Sequence, residues 1–207
     1  VLAQATGMSG VLFAAIAACL PILVTGGIHM DGFMDVTDAM SSWQTKEKRL
    51  EILKDSNTGA FAIICCCLYL ITFFAVWCEA EPTGGAFWVL CLGPALSRSL
   101  SGLAACSWPN ARGSGLLATF TQPMDAKRAR VVLVLWVIGC CAGMLWLDLW
   151  AGAFTVAGAL LSFLYYRVMS TRQFGGVTGD LAGFFLQICE CAMVLQVVLA
   201  QRIEVLL

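Results

Sequence analysis

Gly26-Gly27-Ile28-His29-Met30-Asp31-Gly32-Phe33-Met34-Asp35-Val36-Thr37-Asp38 follows directly on an apolar segment, and its reading decides that of the whole chain. Asp31, Asp35 and Asp38 stand at i, i+4 and i+7, a spacing that puts three carboxylates on one face of a helix. Phe33, Met34, Val36 and Met40 fall opposite, giving the segment a wet face and a greasy one. No cation lies between the acids, and carboxylates this close repel one another unless something neutralises them. A divalent metal is the economical neutraliser, and a metal at a membrane surface points to phosphate chemistry. The plainer alternative is an interfacial helix whose acids are merely solvated.

The surrounding chain is that of a membrane protein. Of 207 residues, 60% are hydrophobic and 12% charged, and the mean hydropathy is +0.85. Soluble domains run at about 45–50% apolar and about 25% charged. A net charge of -1 speaks against a nucleic-acid partner, which would need a basic patch. The 11 cysteines lie almost all in apolar runs and form no paired C-x-x-C, so they read as small, soft packing residues rather than zinc ligands. The first residues carry no basic n-region or cleavage pattern of a secretory signal.

A spanning helix needs about 20 apolar residues. Six segments qualify: 8–25, 60–78, 86–106, 131–147, 149–169 and 181–201. The expected fold is an all-α, polytopic transmembrane helix bundle, one domain over residues 1–207, with an acidic interfacial helix on the cytoplasmic side. Basic residues orient it. Lys46, Lys48, Arg49 and Lys54 lie in the loop 26–59; Arg112, Lys127, Arg128 and Arg130 in 107–130; Arg167 and Arg172 in 167–180. Those three loops are expected in the cytoplasm. The opposite turns, near 79–85 and Asp148, have no basic residue.

The same three loops carry almost all the other acidic and glycine-rich motifs. His29 is the sole histidine, either a contact for phosphate or nucleophile or a structural residue beside a glycine pair. In Lys54-Asp55-Ser56-Asn57-Thr58-Gly59, Lys54 can meet a phosphate and Asp55 can add a metal ligand, although a basic interface residue followed by a helix cap explains the string equally well. Arg98 lies inside a span, where a charge marks a functional interior by default; a phosphate or a carboxylate is its expected partner, with Glu190 or the aspartate stripe as the structural one. Arg112 precedes Gly113-Ser114-Gly115, a loop able to cradle phosphate. Asp180, Gly183, Gln187 and Glu190 share one face of the last span, which opens with Gly175-Gly176-Val177-Thr178-Gly179-Asp180. Close helix packing explains those glycines but not the acids.

Taken together, these stretches resemble the cobalamin synthase family, the adenosylcobinamide-GDP ribazoletransferases. The resemblance rests on Thr25-Gly26-Gly27-Ile28-His29-Met30-Asp31-Gly32-Phe33-Met34-Asp35-Val36-Thr37-Asp38, on Leu53-Lys54-Asp55-Ser56 with Gly59, on Arg98, on the stretch 109–112 and on 175–180 with Glu190, all in the family's order. It implies a multi-pass enzyme of the bacterial inner membrane that uses Mg2+. The implied reaction joins adenosylcobinamide-GDP to α-ribazole, or its 5'-phosphate, and releases GMP. On that reading Asp31, Asp35, Asp38 and Asp55 hold metal. Lys54, Arg98, Arg112, Thr178, Asp180 and Glu190 bind substrate, and Asp38, then His29, accepts the hydroxyl proton, with Asp35 also catalytic. The partners would be the activated corrinoid, α-ribazole and lipid; self-association stays open. The family's N-terminal Thr-Arg-hydrophobic-Pro segment is not seen, and Asn57, Thr58 and Gln187 depart from its usual residues. Two rivals are weighed. A CDP-alcohol phosphotransferase would need an Ala-Arg after the first aspartates and a second Asp run. A secondary transporter would show inverted repeats and polar residues at mid-membrane. Neither pattern is found.

Overall fold

The computed structural model describes residues 7–55, 57–112 and 126–206, and among these every regular element is helical. The chain runs α1 (Gly10–Val24), α2 (Ile28–Ser41), α3 (Lys46–Ile52), α4 (Ala60–Glu79), α5 (Gly84–Ser107), α6 (Ala126–Leu147), α7 (Leu149–Met169), a π-helical turn (Ser170–Phe174) and α8 (Gly179–Leu206). Five helices are long and apolar enough to cross a membrane: Ala60–Glu79, Gly84–Ser107, Ala126–Leu147, Leu149–Phe174 and Gly179–Leu206. They coincide with the expected second to sixth spans. The first differs. α1 has 15 residues and reaches spanning length only together with α2, from which it is bent by 90°. The Thr25 hydroxyl ends α1 by donating to the Pro21 carbonyl at 2.8 Å. Gly26 and Gly27 then take φ of +61° and +79°, a left-handed turn that side-chain-bearing residues rarely adopt.

α8 is the central helix, packed on α7, α2, α5 and α4. Of its most apolar stretch 61% is buried, against 11% for α6, which covers α5 and α7 from outside and turns most of its surface outward. Aromatic rings fasten α2 to this core: Phe33 stacks on Phe184 at 5.6 Å and leans on Tyr69 at 5.1 Å. The buried stripe of α2 is Met30, Phe33, Val36 and Ala39, with Met34 and Met40 half-buried at its edges. That anchoring leaves Asp31 exposed and Asp35 and Asp38 half-buried.

The helix ends sort into two sets. At one end the turn between α4 and α5 meets the end of α8, where Gln201 exchanges hydrogen bonds with the Glu81 backbone (3.1 and 2.7 Å) and Arg202 pairs with Glu79 at 2.9 Å. At the other end the three basic loops converge. All 11 cysteines are free thiols.

Candidate active site

The acidic face of α2 is placed by a crossing of two backbones. A Cβ at Gly32 would stand 2.7 Å from the main-chain oxygen of Asp180, and one at Gly183 would stand 3.0 Å from that of His29. Only glycine lets α2 and the start of α8 approach so closely. Gly183 is thus a packing glycine, whereas a Cβ at Gly179 would meet nothing within 4 Å and Gly175 serves a turn at φ +81°. The crossing sets Asp180 beside the stripe. Asp35 registers the crowding: burial, then the charges of Asp31 and Asp180, push its carboxyl up to about 6, against the pull of Arg112, with Asp38 adding the least. Among the described residues the carboxylates of Asp31, Asp35 and Asp38 have no ion-pair partner.

Arg112 knits the three loops together. Its Nη2 donates to the Leu53 carbonyl at 2.8 Å and lies 3.0 Å from Asp180 Oδ2. The stretch that carries it is laid along residues 175–180 by a short parallel bridge. Val177 N donates to the Pro109 carbonyl at 2.8 Å, and Ala111 N to the Val177 carbonyl at 3.0 Å. Gly176 is pressed against the Pro109 carbonyl, with no room for a Cβ. Arg49 of α3 adds a further tie through Nη1 to Gln173 in the π turn, a pair that the charge pattern alone did not single out. Gly113-Ser114-Gly115 and Ser56 lie outside the described residues.

The remaining candidates divide. Gly59 packs so tightly on the Asp38 carboxylate that a Cβ there would collide with it, which brings the loop before α4 to the stripe. Lys54 and Asp55 are exposed in that loop. Asp55 turns back on it, its Oδ1 accepting from Asn57 N at 3.0 Å and Asn57 Nδ2 at 2.7 Å, a local Asx turn. Thr178 is 2% exposed and caps α8, its Oγ1 accepting from Leu181 N at 3.2 Å. Arg98 and Glu190 find each other: Nη1 lies 2.5 Å from Oε1, and Ser97 Oγ donates to the same oxygen at 2.9 Å. His29, half-buried, sits within the field of this pair, and burial first and Arg98 second hold its imidazole below 6.5, the neutral form at pH 7. Gln187 accepts from the Tyr69 hydroxyl at 2.6 Å, a link between α4 and α8 that no sequence motif signals.

The donor chemistry fits a hard divalent cation. The crowded groups are carboxylate oxygens whose mutual repulsion a cation would relieve. Among the described residues no three His, Cys, Asp or Glu side chains close on one point. Mg2+ does not need such a cage: it commonly takes one or two carboxylates, keeps several waters and fills its octahedron with substrate phosphate oxygens.

Comparison with known proteins identifies the family. The profile of the family described as cobalamin-5-phosphate synthase matches residues 1–199. An adenosylcobinamide-GDP ribazoletransferase of Lachnoclostridium phytofermentans is 41% identical over 199 residues, covering 95% of this chain and 74% of that protein. Proteins of the same name from Pseudomonas putida (33% over 192 residues, 91% and 75% covered) and Clostridium perfringens (33% over 180 residues, 86% and 71% covered) are also similar. No solved structure matches. With nearly its whole length aligned, the chain belongs to the cobalamin-5-phosphate synthase family.

Proposed function

We propose that this enzyme joins adenosylcobinamide-GDP to α-ribazole, or its 5'-phosphate, and releases GMP, with Mg2+ at the face formed by α2 and the start of α8. The observation that carries the reading is the Gly32–Asp180 crossing, which merges the aspartate stripe with Asp180 and Arg112 into one charged site. The names of the relatives supply the substrates.

In the proposed reaction a ribose hydroxyl oxygen of α-ribazole attacks the cobinamide-side phosphorus. The bond from that phosphorus to the bridging oxygen breaks, and the oxygen leaves with GMP. Mg2+, when bound, would offset the negative charge that builds on the pyrophosphate oxygens. Asp31 and Asp35 are the ligands best placed for it, with Asp180 beside them. Arg112, already held at this site, and Lys54, exposed on the adjoining loop, add positive charge toward the phosphates. Asp38, fixed against Gly59, takes the hydroxyl proton; neutral His29 is the second candidate. Arg98 would reach substrate by exchanging Glu190 for a phosphate. Asp55, engaged in its own turn, would serve only if that turn opened.

The charge bias of the loops supports a cytoplasmic orientation in a bacterial inner membrane, with α2 lying along that surface. The test is GMP release by the full chain in proteoliposomes supplied with both substrates and Mg2+, without any ion gradient. Release supports the transferase reading; its absence from folded protein would reject it.

A further inference from the structure

Between α1, α4, α5, α7 and α8 lies a part-open cavity of about 60 Å³, lined by Phe73, Trp77, Pro94, Thr155, Glu190 and Met193 among others. Glu190 is eleven residues into α8, about 16 Å from its start, and Thr155 is six residues from the opposite end of α7, about 9 Å in. The cavity is therefore at membrane depth. Most of its wall is apolar, yet polar groups gather on it. Thr155 is 1% exposed and its Oγ1 has no hydrogen-bond partner. The indole Nε1 of Trp77 is buried and likewise unpartnered. Leu90 lines the same space, and Pro94, four residues on, has no N–H to give its carbonyl. Glu190 adds a carboxylate, held on its other side by Ser97 and Arg98.

Polar groups stranded in hydrocarbon are costly, and spanning helices with an interior proline commonly satisfy them with ordered water. At roughly 15 Å³ of such space per molecule, the cavity has room for about four waters. A lipid headgroup would not fit, and an apolar chain would leave the Thr155 hydroxyl and the Trp77 N–H unpaired.

We propose that the cavity is an intramembrane water site, in which a small cluster bridges Thr155, Trp77 and the Leu90 carbonyl to the Glu190 carboxylate. Thr155 and Trp77 are then positioning residues: through the water they hold Glu190, and Glu190 holds Arg98.

X-ray radiolytic footprinting of the full chain in lipid nanodiscs tests this, because hydroxyl radicals born from bound water oxidise only the side chains beside it. Trp77 and Met193 should be oxidised, whereas Trp136, exposed on the outer face of α6, should be protected by lipid. Thr155→Val should lower oxidation of both by several-fold; should that variant unfold, Trp77→Phe, read at Met193, replaces it. Protection of Trp77 and Met193 equal to that of Trp136 would overturn the proposal in favour of an apolar occupant. So would oxidation indifferent to Thr155→Val in folded protein. The readout is independent of turnover, so either failure leaves the transferase reading intact.

Discussion

Gly32→Ala should part α2 from α8 and silence the site without destroying the bundle. The new methyl would stand 2.7 Å from the Asp180 oxygen and 2.9 Å from its Cα, both main-chain atoms that cannot rotate aside. Ordinary contact begins at 3.4 Å, so the helices must separate by about 0.7 Å at this point. Overpacking of this kind costs about 1–3 kcal/mol of stability. The larger effect is on turnover, because the separation moves Asp31 and Asp35 away from Asp180, and misplacements near 1 Å cost on the order of a hundredfold in rate. Gly183→Ala, whose methyl would meet the His29 oxygen at 3.0 Å, needs about 0.4 Å and should lose less. Gly139→Ala on α6 meets nothing within 4 Å and is the control. GMP release from proteoliposomes, read beside thermal unfolding, gives the order Gly139→Ala, Gly183→Ala, Gly32→Ala from most to least active. Native turnover and native Tm in Gly32→Ala would refute the close crossing and the site built upon it.

Three further outcomes are expected. Arg112→Met removes the donor to the Leu53 carbonyl and the partner of Asp180, so it should cost about 2 kcal/mol by leaving a part-buried carboxylate uncompensated, and most of the turnover; Arg112→Lys, unable to span both partners, should rescue little, as denaturation and activity assays will show. Asp35, with its carboxyl pushed up to about 6, makes a pH prediction for the metal-free protein. Its native form holds the proton more tightly than the unfolded chain, so its contribution to stability falls as pH rises from the ordinary carboxylate range through about 6 and is recovered on acidification. Asp35→Asn should therefore unfold at a higher temperature than the native chain at pH 7 without Mg2+, and a lower Tm would contradict the crowding argument. Protons and Mg2+ compete for the same oxygens, so the Mg2+ affinity of the native chain, followed by calorimetry, should weaken as pH falls below about 6, and a flat profile would count against Asp35 as a ligand.

The bundle was largely legible in the sequence because apolar length and loop charge are local properties. Five of the six expected spans are helices of spanning length. The first expected segment, 8–25, stops where α1 stops, at Thr25, but hydropathy does not register that the 15-residue helix is short of a span and that the left-handed glycine pair turns the chain by 90° into α2. The stripe of α2 followed from helix geometry alone. What joins the stripe to the rest is non-local: the Gly32–Asp180 approach, the Arg112 contacts with Leu53 and Asp180, and the strand-like bridge between Asn110 and Val177 all connect residues far apart in the chain. The sequence offers Glu190 as the structural partner of Arg98, and the structure makes that pair. Asp55 and Thr178 carry side chains suited both to ligands and to turns, and their local hydrogen bonds, an Asx turn and a helix cap, were within reach of the sequence pattern. Tyr69 lay inside an apolar run, where nothing marks its hydroxyl as the partner of Gln187.

In the proposed reaction the acidic face of α2 carries Mg2+-dependent phosphoryl transfer. The most direct measurement is a Mg2+ titration of GMP release from adenosylcobinamide-GDP and α-ribazole, run on the native chain and on Asp35→Asn in proteoliposomes. Saturable, Mg2+-dependent release is expected from the native chain, with a loss of at least about a hundredfold in the variant, which should remain folded. Full activity in Asp35→Asn, or native release indifferent to Mg2+, would contradict that reading.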